Sequence, residues 1–506
     1  MHEATTHLEL WQSIPFVMIL LPLGSAAITS ALKTKPARRW AIIVETILLG
    51  LSIALMVLTN NLGESYTYMM GHYPAPWGNE IRAGVLEAIT AHFFVLIMLL
   101  SILGGMKKLD EHILKDRQNL YFVMIQLLTA ALMAQVFTND IFTAYVFLEI
   151  MTIAACALIV ARTKGRTLVA ATRYMIMNLV GSSLFLFGIS ILYTITGHLL
   201  MANIHEGVAA LAASGDYKVP LTIVVALVTV GLAVKSALYP FEKWLPGAYS
   251  NATPTVAAML SSLVSKGYIF LLIKFYVRVI GFDVICSLGV LDVLFIFGVA
   301  GMIMGSVNAV RAKTTRLMIA YSSVAQIGYI FAALGLRSEI GIVCALWHSA
   351  AHAATKSMLF VSCAEMDDAC GGTHLRKDLR GAFYHSPLLA LAFSLGALNL
   401  TGVPLLSVFM TKVTLTQAAI EVGGRHMGIV LGAVALSTLL NAVYFLGTAM
   451  TLFIPTKEGD EVLPPTVRKN PFTTVGLIGL MALNLVMGLL SQPFLSALAE
   501  GLARFA

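Results

Sequence analysis

Charge is scarce in this chain: Asp, Glu, Lys and Arg make up 12 % of its 506 residues, whereas 58 % are hydrophobic. With a mean hydropathy of +0.84, the composition excludes an ordinary soluble domain, and membrane insertion explains it better than an oversized core. Cysteine is sparse as well. Cys156, Cys286, Cys344, Cys363 and Cys370 form neither a close pair nor a metal-ligand cluster, so no disulfide, zinc site or iron–sulfur centre is indicated. The glycine pairs Gly104-Gly105 and Gly371-Gly372 lack the pattern of a phosphate loop or a dinucleotide fold, and no cofactor is expected. The N-terminus has no basic start and no small-residue cleavage pattern, so the first hydrophobic segment is expected to be retained. A net charge of +7 invites a nucleic-acid reading, but the basic residues lie mostly in short loops between apolar spans. Membrane topology accounts for them, and no nucleic-acid partner is expected.

What is present is a series of long apolar runs. Counted in units of roughly 20 residues they give about fourteen transmembrane helices, an all-α polytopic membrane protein. With both termini outside, the inward loops hold the basic clusters Lys33–Arg39, Lys107–Arg117, Arg162–Arg166, Arg311–Arg316 and Arg376–Arg380, as the positive-inside rule requires. A cell inner (cytoplasmic) membrane location follows. Two spans read as interrupted. Pro240 and Pro246 follow Lys235 closely, and Gly402 and Pro404 precede Lys412. Proline removes a backbone donor and leaves carbonyls to be satisfied by protein or water. Discontinuous helices in corresponding places suggest two inverted five-helix repeats, 119–276 and 277–453, between N-terminal helices in 1–118 and a C-terminal loop and helix in 454–506.

Against this background, ionisable residues inside apolar spans stand out. Glu149 lies in YVFLEIMTIAACALIV, and Lys235, Lys266, Lys356 and Lys412 lie in other hydrophobic stretches. Such groups cost several kcal/mol at bilayer depth unless they face protein, water or a partner, so together they suggest a route for charge. Glu149 is a natural partner for Lys235, either as a proton switch or as a static pair joining helices. Lys266 reads as a relay, whereas Lys274, two turns on, reads as a lysine reaching to the interface. His348, His352 and Lys356 recur every four residues and share one helical face. Proton transfer, structural hydrogen bonding and metal binding all remain open for that row; with no HExxH pattern and no further ligands, no metal is expected. Lys412 reads as the last member, against the alternative of an anchor. Glu242 and Lys243 adjoin the first break as access or gating groups, or as solvated ones. Asp140 reads as a helix cap, and Glu365, Asp367 and Asp368 as an acidic loop.

At these residues the chain resembles the antiporter-like subunits of Mrp-type cation/proton antiporters, respiratory complex I and membrane-bound energy-converting hydrogenases. The resemblance covers roughly residues 70–460 and rests on KSALYPFEKWLP (Lys235–Pro246), AMLSSLVSKGYIFLLIK (Ala258–Lys274), HSAAHAATKSMLF (His348–Phe360) and GVPLLSVFMTK (Gly402–Lys412). GHYPAPWG (Gly71–Gly78) is closer to the D-type Mrp subunit and its hydrogenase counterpart. The resemblance implies that Glu149 and Lys235 form the carboxylate–lysine pair of a first half-channel and that Lys266 is its connecting lysine. It further implies that His348, His352 and Lys356 lie on a central polar axis, with Lys412 the terminal lysine of a second half-channel. Glu242 departs from the histidine of PFHxWLP, which puts access through that position in doubt. The implied role is translocation of protons, or sodium/proton exchange, within a hetero-oligomer whose redox subunits, where it has them, supply the energy. Two other classes of reading are a structural subunit with static buried ion pairs and a solitary transporter of an organic substrate.

Overall fold

The computed structural model describes residues 10–70, 73, 78–162, 165–215, 217–369, 375–455 and 470–505. The N-terminal stretch before Leu10, most of Gly71–Gly78, Lys164, Cys370, Gly371-Gly372 and the side chains of Glu365, Asp367, Asp368 and Lys377 lie outside the described residues. In chain order the main helices begin with α1 Trp11–Ala31, α2 Thr34–Leu62, α3 Val85–Gly104, α4 Lys115–Phe137 and α5 Ile141–Val160. They continue with α6 Gly165–Thr196, α7 Lys218–Ser236, α8 Pro254–Ile280, α9 Val290–Arg311 and α10 Thr315–Leu334. Next come α11 Glu339–Ala369, α12 Pro387–Thr401 and α13 Ser407–Val422. The last are α14 Gly424–Phe453, α15 Pro471–Leu489 and α16 Ser491–Ala503. Among the described residues, 12 of these helices are long and apolar enough to cross a membrane. The protein is a multi-pass membrane protein with an all-α membrane domain.

Two features differ from the expectation. An antiparallel hairpin, β1 Tyr66–Met69 with β2 Glu80–Ala83, sits between α2 and α3, with Tyr66 opposite Ala83. Its residues are too few and too polar to register in a search for membrane spans. The acidic residues Glu365, Asp367 and Asp368 belong to the last turns of α11, which runs on to Ala369, and so do not form a loop.

Burial sorts the helices into an inside and an outside. All of the most apolar window of α8 is buried, as is 89 % of that of α10, against 33 % for α2 and α14. Helix α8 is therefore a central post, and the outer helices turn residues such as Val57, Phe187 and Leu439 outward. Lipid is as apolar as these side chains, so close backbone packing must hold the helices together. That packing is clearest where α9 crosses α10. A Cβ on Gly298 would lie 2.3 Å from the Ala332 amide, one on Gly305 2.4 Å from the Ala325 amide, and one on Gly328 2.3 Å from the Met302 amide. Glycine is required there because the backbones touch.

The interruptions have local causes. Helix α7 stops at Ala237, which is left-handed (φ 60), so that the amides of Ala237 and Leu238 turn back to Val234 O and Ala233 O. The Trp244 indole donates to Val234 O at 3.2 Å, which occupies a carbonyl of the last turn. A short helix, Leu245–Asn251, then restarts with Pro246 in its first turn. Helix α12 ends at Gly402 (φ 86), and Leu405 (φ 72) lies in the link to α13. One side chain, Asn399, holds the two sides together: its Oδ1 accepts from Val408 N at 3.0 Å and its Nδ2 donates to Ser407 Oγ at 3.0 Å. Within α8 the turns widen to π-helix at Leu260–Val264 and Phe275–Ile280. The chain's last turn is clasped as well, because Arg82, paired to Glu87 at 2.6 Å, and Arg278 both lie over the Phe505 ring.

The crossing of α9 and α10 generates a stability prediction. Gly328→Ala forces the two backbones apart and should cost about 1–3 kcal/mol, read as a lower melting temperature of the purified protein. Gly432→Ala, whose Cβ meets nothing within 4 Å on α14, should leave the melting temperature unchanged or raise it slightly, since alanine favours helix.

Candidate functional site: a buried row of lysines and histidines

Glu149 projects from α5 and Lys235 from the last turn of α7, with Nζ 3.8 Å from Glu149 Oε1. The lysine is wholly buried and the carboxylate is 22 % exposed, so the pair has one member at the rim of the interior. The ammonium's direct hydrogen bond goes elsewhere, to Thr152 Oγ1 at 2.8 Å. Thr152 meets Tyr268 Oη at 3.2 Å, and that ring lies 5.2 Å beneath the ammonium. Thr152 sits one turn after Glu149 on the same face. The lysine stem lies close against α6: a Cβ on Gly181 would come within 2.9 Å of Lys235 Cγ.

Lys266 lies on α8 immediately after its first π segment. Its ammonium donates to Ser261 O at 2.6 Å and to Ser265 Oγ at 3.1 Å, five and one residues back on the same helix. The wider turn makes the Ser261 carbonyl available to a side chain. Serines continue from here to the second half of the chain. Ser261 Oγ meets Ser323 Oγ of α10 at 3.2 Å, and Ser357 of α11 donates to Ser262 at 2.8 Å.

On α11, His348 and His352 stack with centroids 5.9 Å apart, as their spacing predicts. His348 Nδ1 meets Thr411 Oγ1 of α13 at 3.0 Å, and its ring lies 5.5 Å from that of Tyr329. Both nitrogens of His352 and the Gln326 side-chain amide on α10 have no protein partner. His348 is within Coulombic range of both Lys266 and Lys412, and His352 of Lys266 and Lys356. Lys356 donates to Ile319 O at 2.7 Å and to the Ser322 hydroxyl, both on α10. Lys412, one turn into α13, donates back across the break to Thr401 O. Gly402 lies directly under its stem, and a Cβ there would fall 2.5 Å from Nζ.

The seven residues singled out in the sequence lie on α5, α7, α8, α11 and α13; Glu149 stands beside Lys235 and His348 stacks on His352, whereas among the described residues no hydrogen bond or ion pair joins Lys235 to Lys266. Glu242 is buried (7 % exposed) with Oε2 lacking a protein partner, whereas Lys243 is exposed and stands apart. Lys274 is not at an interface. It is wholly buried and donates to Val136 O and Thr138 O at 2.6 and 2.8 Å, which ties α8 to the end of α4. Asp140 caps α5 through Thr143 N at 2.6 Å, as expected. Thr152, Tyr268, Ser261, Ser322, Gln326 and Thr411 join the site only in the fold. Ser261, Ser322 and Gln326 carry a signal in the polar pairs of LSSLVSK and AYSSVAQ inside apolar helices; Thr152, Tyr268 and Thr411 carry none of that kind. Among the described residues no group of three or more His, Cys, Asp or Glu could hold a metal ion.

The chain as a whole has known relatives. The chain is 29 % identical over 469 residues to NADH-quinone oxidoreductase subunit N of Desulforudis audaxviator, covering 90 % of each protein. It is 26 % identical over 460 residues to the D-type subunit of the Na(+)/H(+) antiporter of Alkalihalophilus pseudofirmus, covering 89 % of this chain and 88 % of the relative. Its fold matches a chain of the membrane-bound sulfane sulfur reductase, an archaeal respiratory membrane complex, with a TM-score of 0.85 at 25 % identity over 97 % of this chain and 98 % of that one. Residues 138–440, from the helix of Glu149 to beyond Lys412, match the family described as NADH:quinone oxidoreductase/Mrp antiporter, TM, and the chain belongs to that family.

Proposed function

We propose that this chain is a proton-translocating, antiporter-like membrane subunit of a multisubunit complex, either a cation/proton antiporter or an energy-converting respiratory or hydrogenase complex. Protons pass along Glu149, Lys235, Lys266, His348, His352, Lys356 and Lys412. One observation carries the proposal: buried ammoniums and imidazoles are strung across four helices, yet among the described residues a single carboxylate, Glu149, stands within ion-pair distance of any of them. A set of static ties would pair each charge or do without it, because an unmatched buried charge is costly. Unpartnered polar atoms on His352 and Gln326 lie on the same axis. They are suited to water, through which protons move between groups too far apart for direct transfer.

In this reading the 12 apolar helices, together with α11 and the α12–α13 pair, make about fourteen crossings. The broken elements, α7 and α12–α13, fall in two inverted repeats, 119–276 and 277–453, flanked by 1–118 and 454–506. The basic loops face inward and both termini outward. Glu149 at the rim is the acid that loads Lys235. A change in its charge alters the field on the lysine and with it the lysine's hold on its proton. Glu242, buried beside the first break, is an access or gating group, and Lys243 has a lesser part. Release runs from Lys412 toward a cleft of about 390 Å³ lined by Glu339, Thr414 and Gln417.

Two outcomes follow. In sealed vesicles holding the intact complex, Lys235→Ala should lower proton flux by roughly tenfold or more, measured with a pH-sensitive dye under a sodium gradient and then under a reductant. Sodium-driven flux identifies the antiporter setting and reductant-driven flux the redox setting; unchanged flux in a correctly assembled variant would contradict the relay. Gly402→Ala places a Cβ where Lys412 now lies, at a φ of +86. It should reduce flux and also destabilise the protein by about 1–3 kcal/mol, whereas Gly423→Ala, at φ +71 with no side chain near, should destabilise it and spare flux.

A further inference from the structure

The step from Lys235 to Lys266 takes the proposed path from α7 to α8, and no side chain of the relay spans it. On the Lys235 side, hydrogen bonds run from the ammonium to the Thr152 hydroxyl and on to that of Tyr268. Tyr268 and Lys266 flank Gly267 on α8, so by helix geometry they project roughly 100° to either side of it. The face between them is therefore the face of Gly267. Side chains of two other helices close over it. A Cβ on Gly267 would lie 2.9 Å from Leu132 Cδ2, 3.2 Å from Gln135 Oε1 and 3.4 Å from Met151 Cε. The missing side chain at Gly267 is what lets the Gln135 amide come so close to α8. Gln135, in the last turn of α4, is 1 % exposed, and neither Oε1 nor Nε2 has a partner among the described residues. A polar group left dry in that way costs about 1–3 kcal/mol, and native interiors rarely keep one without a protein partner or an ordered water.

We propose that Gln135 is a positioning residue that holds water between the Tyr268 hydroxyl and the Lys266 ammonium, and that this water carries protons from the first lysine to the second. The inference rests on the proton path proposed above and supplies the step that its side chains leave open. Donors and acceptors match. A side-chain amide offers two N–H donors and a carbonyl, and an ammonium offers three donors. Lys266 directs two of its own to Ser261 O and Ser265 Oγ, which leaves one for water. A buried water needs roughly two to four polar partners, and Gln135, Tyr268 and Lys266 supply them. Protons balance along the row. The Lys235 ammonium gives one to the Thr152 hydroxyl as that hydroxyl passes its own to Tyr268; Tyr268 passes one to water, and water passes one to Lys266 in its neutral form. Gln135 neither gains nor loses a proton, and its part is to fix where the water sits.

The test measures proton flux in sealed vesicles holding the intact complex, and melting temperature on the same preparations. Gln135→Met keeps the length of the side chain and removes the amide; Gln135→Leu repeats the test if the methionine variant does not assemble. Either should lower flux roughly tenfold or more with the melting temperature at or above that of wild type, because an apolar replacement of an unpaired polar group is neutral or stabilising. Gln135→Asn keeps an amide and should restore most of the flux. Gln126→Met is the control. Gln126 is as deeply buried and also lacks partners among the described residues, but it lies nine residues earlier on α4, which helix geometry puts on the opposite face. Its flux should match wild type. Three results would overturn the proposal: wild-type flux in the apolar variants at 135, a loss in Gln135→Asn equal to theirs, or an equal loss in Gln126→Met. Lys235→Ala is measured alongside. If it too runs at the wild-type rate, the path itself fails; if it loses flux while Gln135→Met does not, only the role of Gln135 fails.

Discussion

A lysine ammonium placed in the middle of a membrane helix costs on the order of 3 kcal/mol even by lenient scales, and more if it is dry. That cost organises this protein. Hydrogen bonds to a charged group return about 1.5–3 kcal/mol each, so one or two well-placed oxygens roughly offset the burial without cancelling the charge. The chain obtains most of those oxygens from its own backbone. Lys266 uses the Ser261 carbonyl in a π segment, Lys412 uses Thr401 O at a helix break, and Lys274 uses the last carbonyls of α4. Lys235, which uses the Thr152 hydroxyl, and Lys356 are exceptions, the latter since Ile319 lies inside α10 and also receives the hydroxyls of Ser322 and Ser323. Helix irregularity and buried cation are therefore two sides of one device.

Neutral oxygens suit a group that must change its charge. A carboxylate partner would fix each ammonium in its charged form, whereas a carbonyl or hydroxyl accepts from the amine as well as from the ammonium. Among the described residues Lys235 alone of the proposed relay has a carboxylate within ion-pair distance, and even there Thr152 takes the direct hydrogen bond while Glu149 stays at 3.8 Å. This leaves the pair coupled by charge more than by contact. Lys274 shows that neutral partners alone do not make a relay. It has two carbonyls, a fixed place at the end of α4 and Arg278 one turn away, and it reads as a structural tie.

Much of this was legible in the sequence. The apolar runs, the prolines beside Lys235, Gly402 before Lys412 and the four-residue spacing of His348, His352 and Lys356 are local signals, and helix geometry turns them directly into faces and breaks. What remained hidden depends on contacts between distant segments. Thr152 and Lys235 are 83 residues apart, and Lys274 and Val136 are 138 apart. Lys274 looked like an interfacial lysine because it stands near the end of an apolar run. The fold places that run at the centre of the bundle, with no interface within reach. The hairpin at Tyr66–Ala83 escaped notice because its strands have four residues each.

In the proposed path Lys266, on the fully enclosed helix, carries protons between the two halves. Proton flux through sealed vesicles containing an assembled complex with Lys266→Met tests it most directly, because methionine keeps the volume of the side chain and removes only the exchangeable group. The account predicts a loss of roughly a hundredfold, with subunit composition and melting temperature close to wild type. Flux at the wild-type rate in that variant would contradict it, and would leave the buried lysines as supports for helix packing.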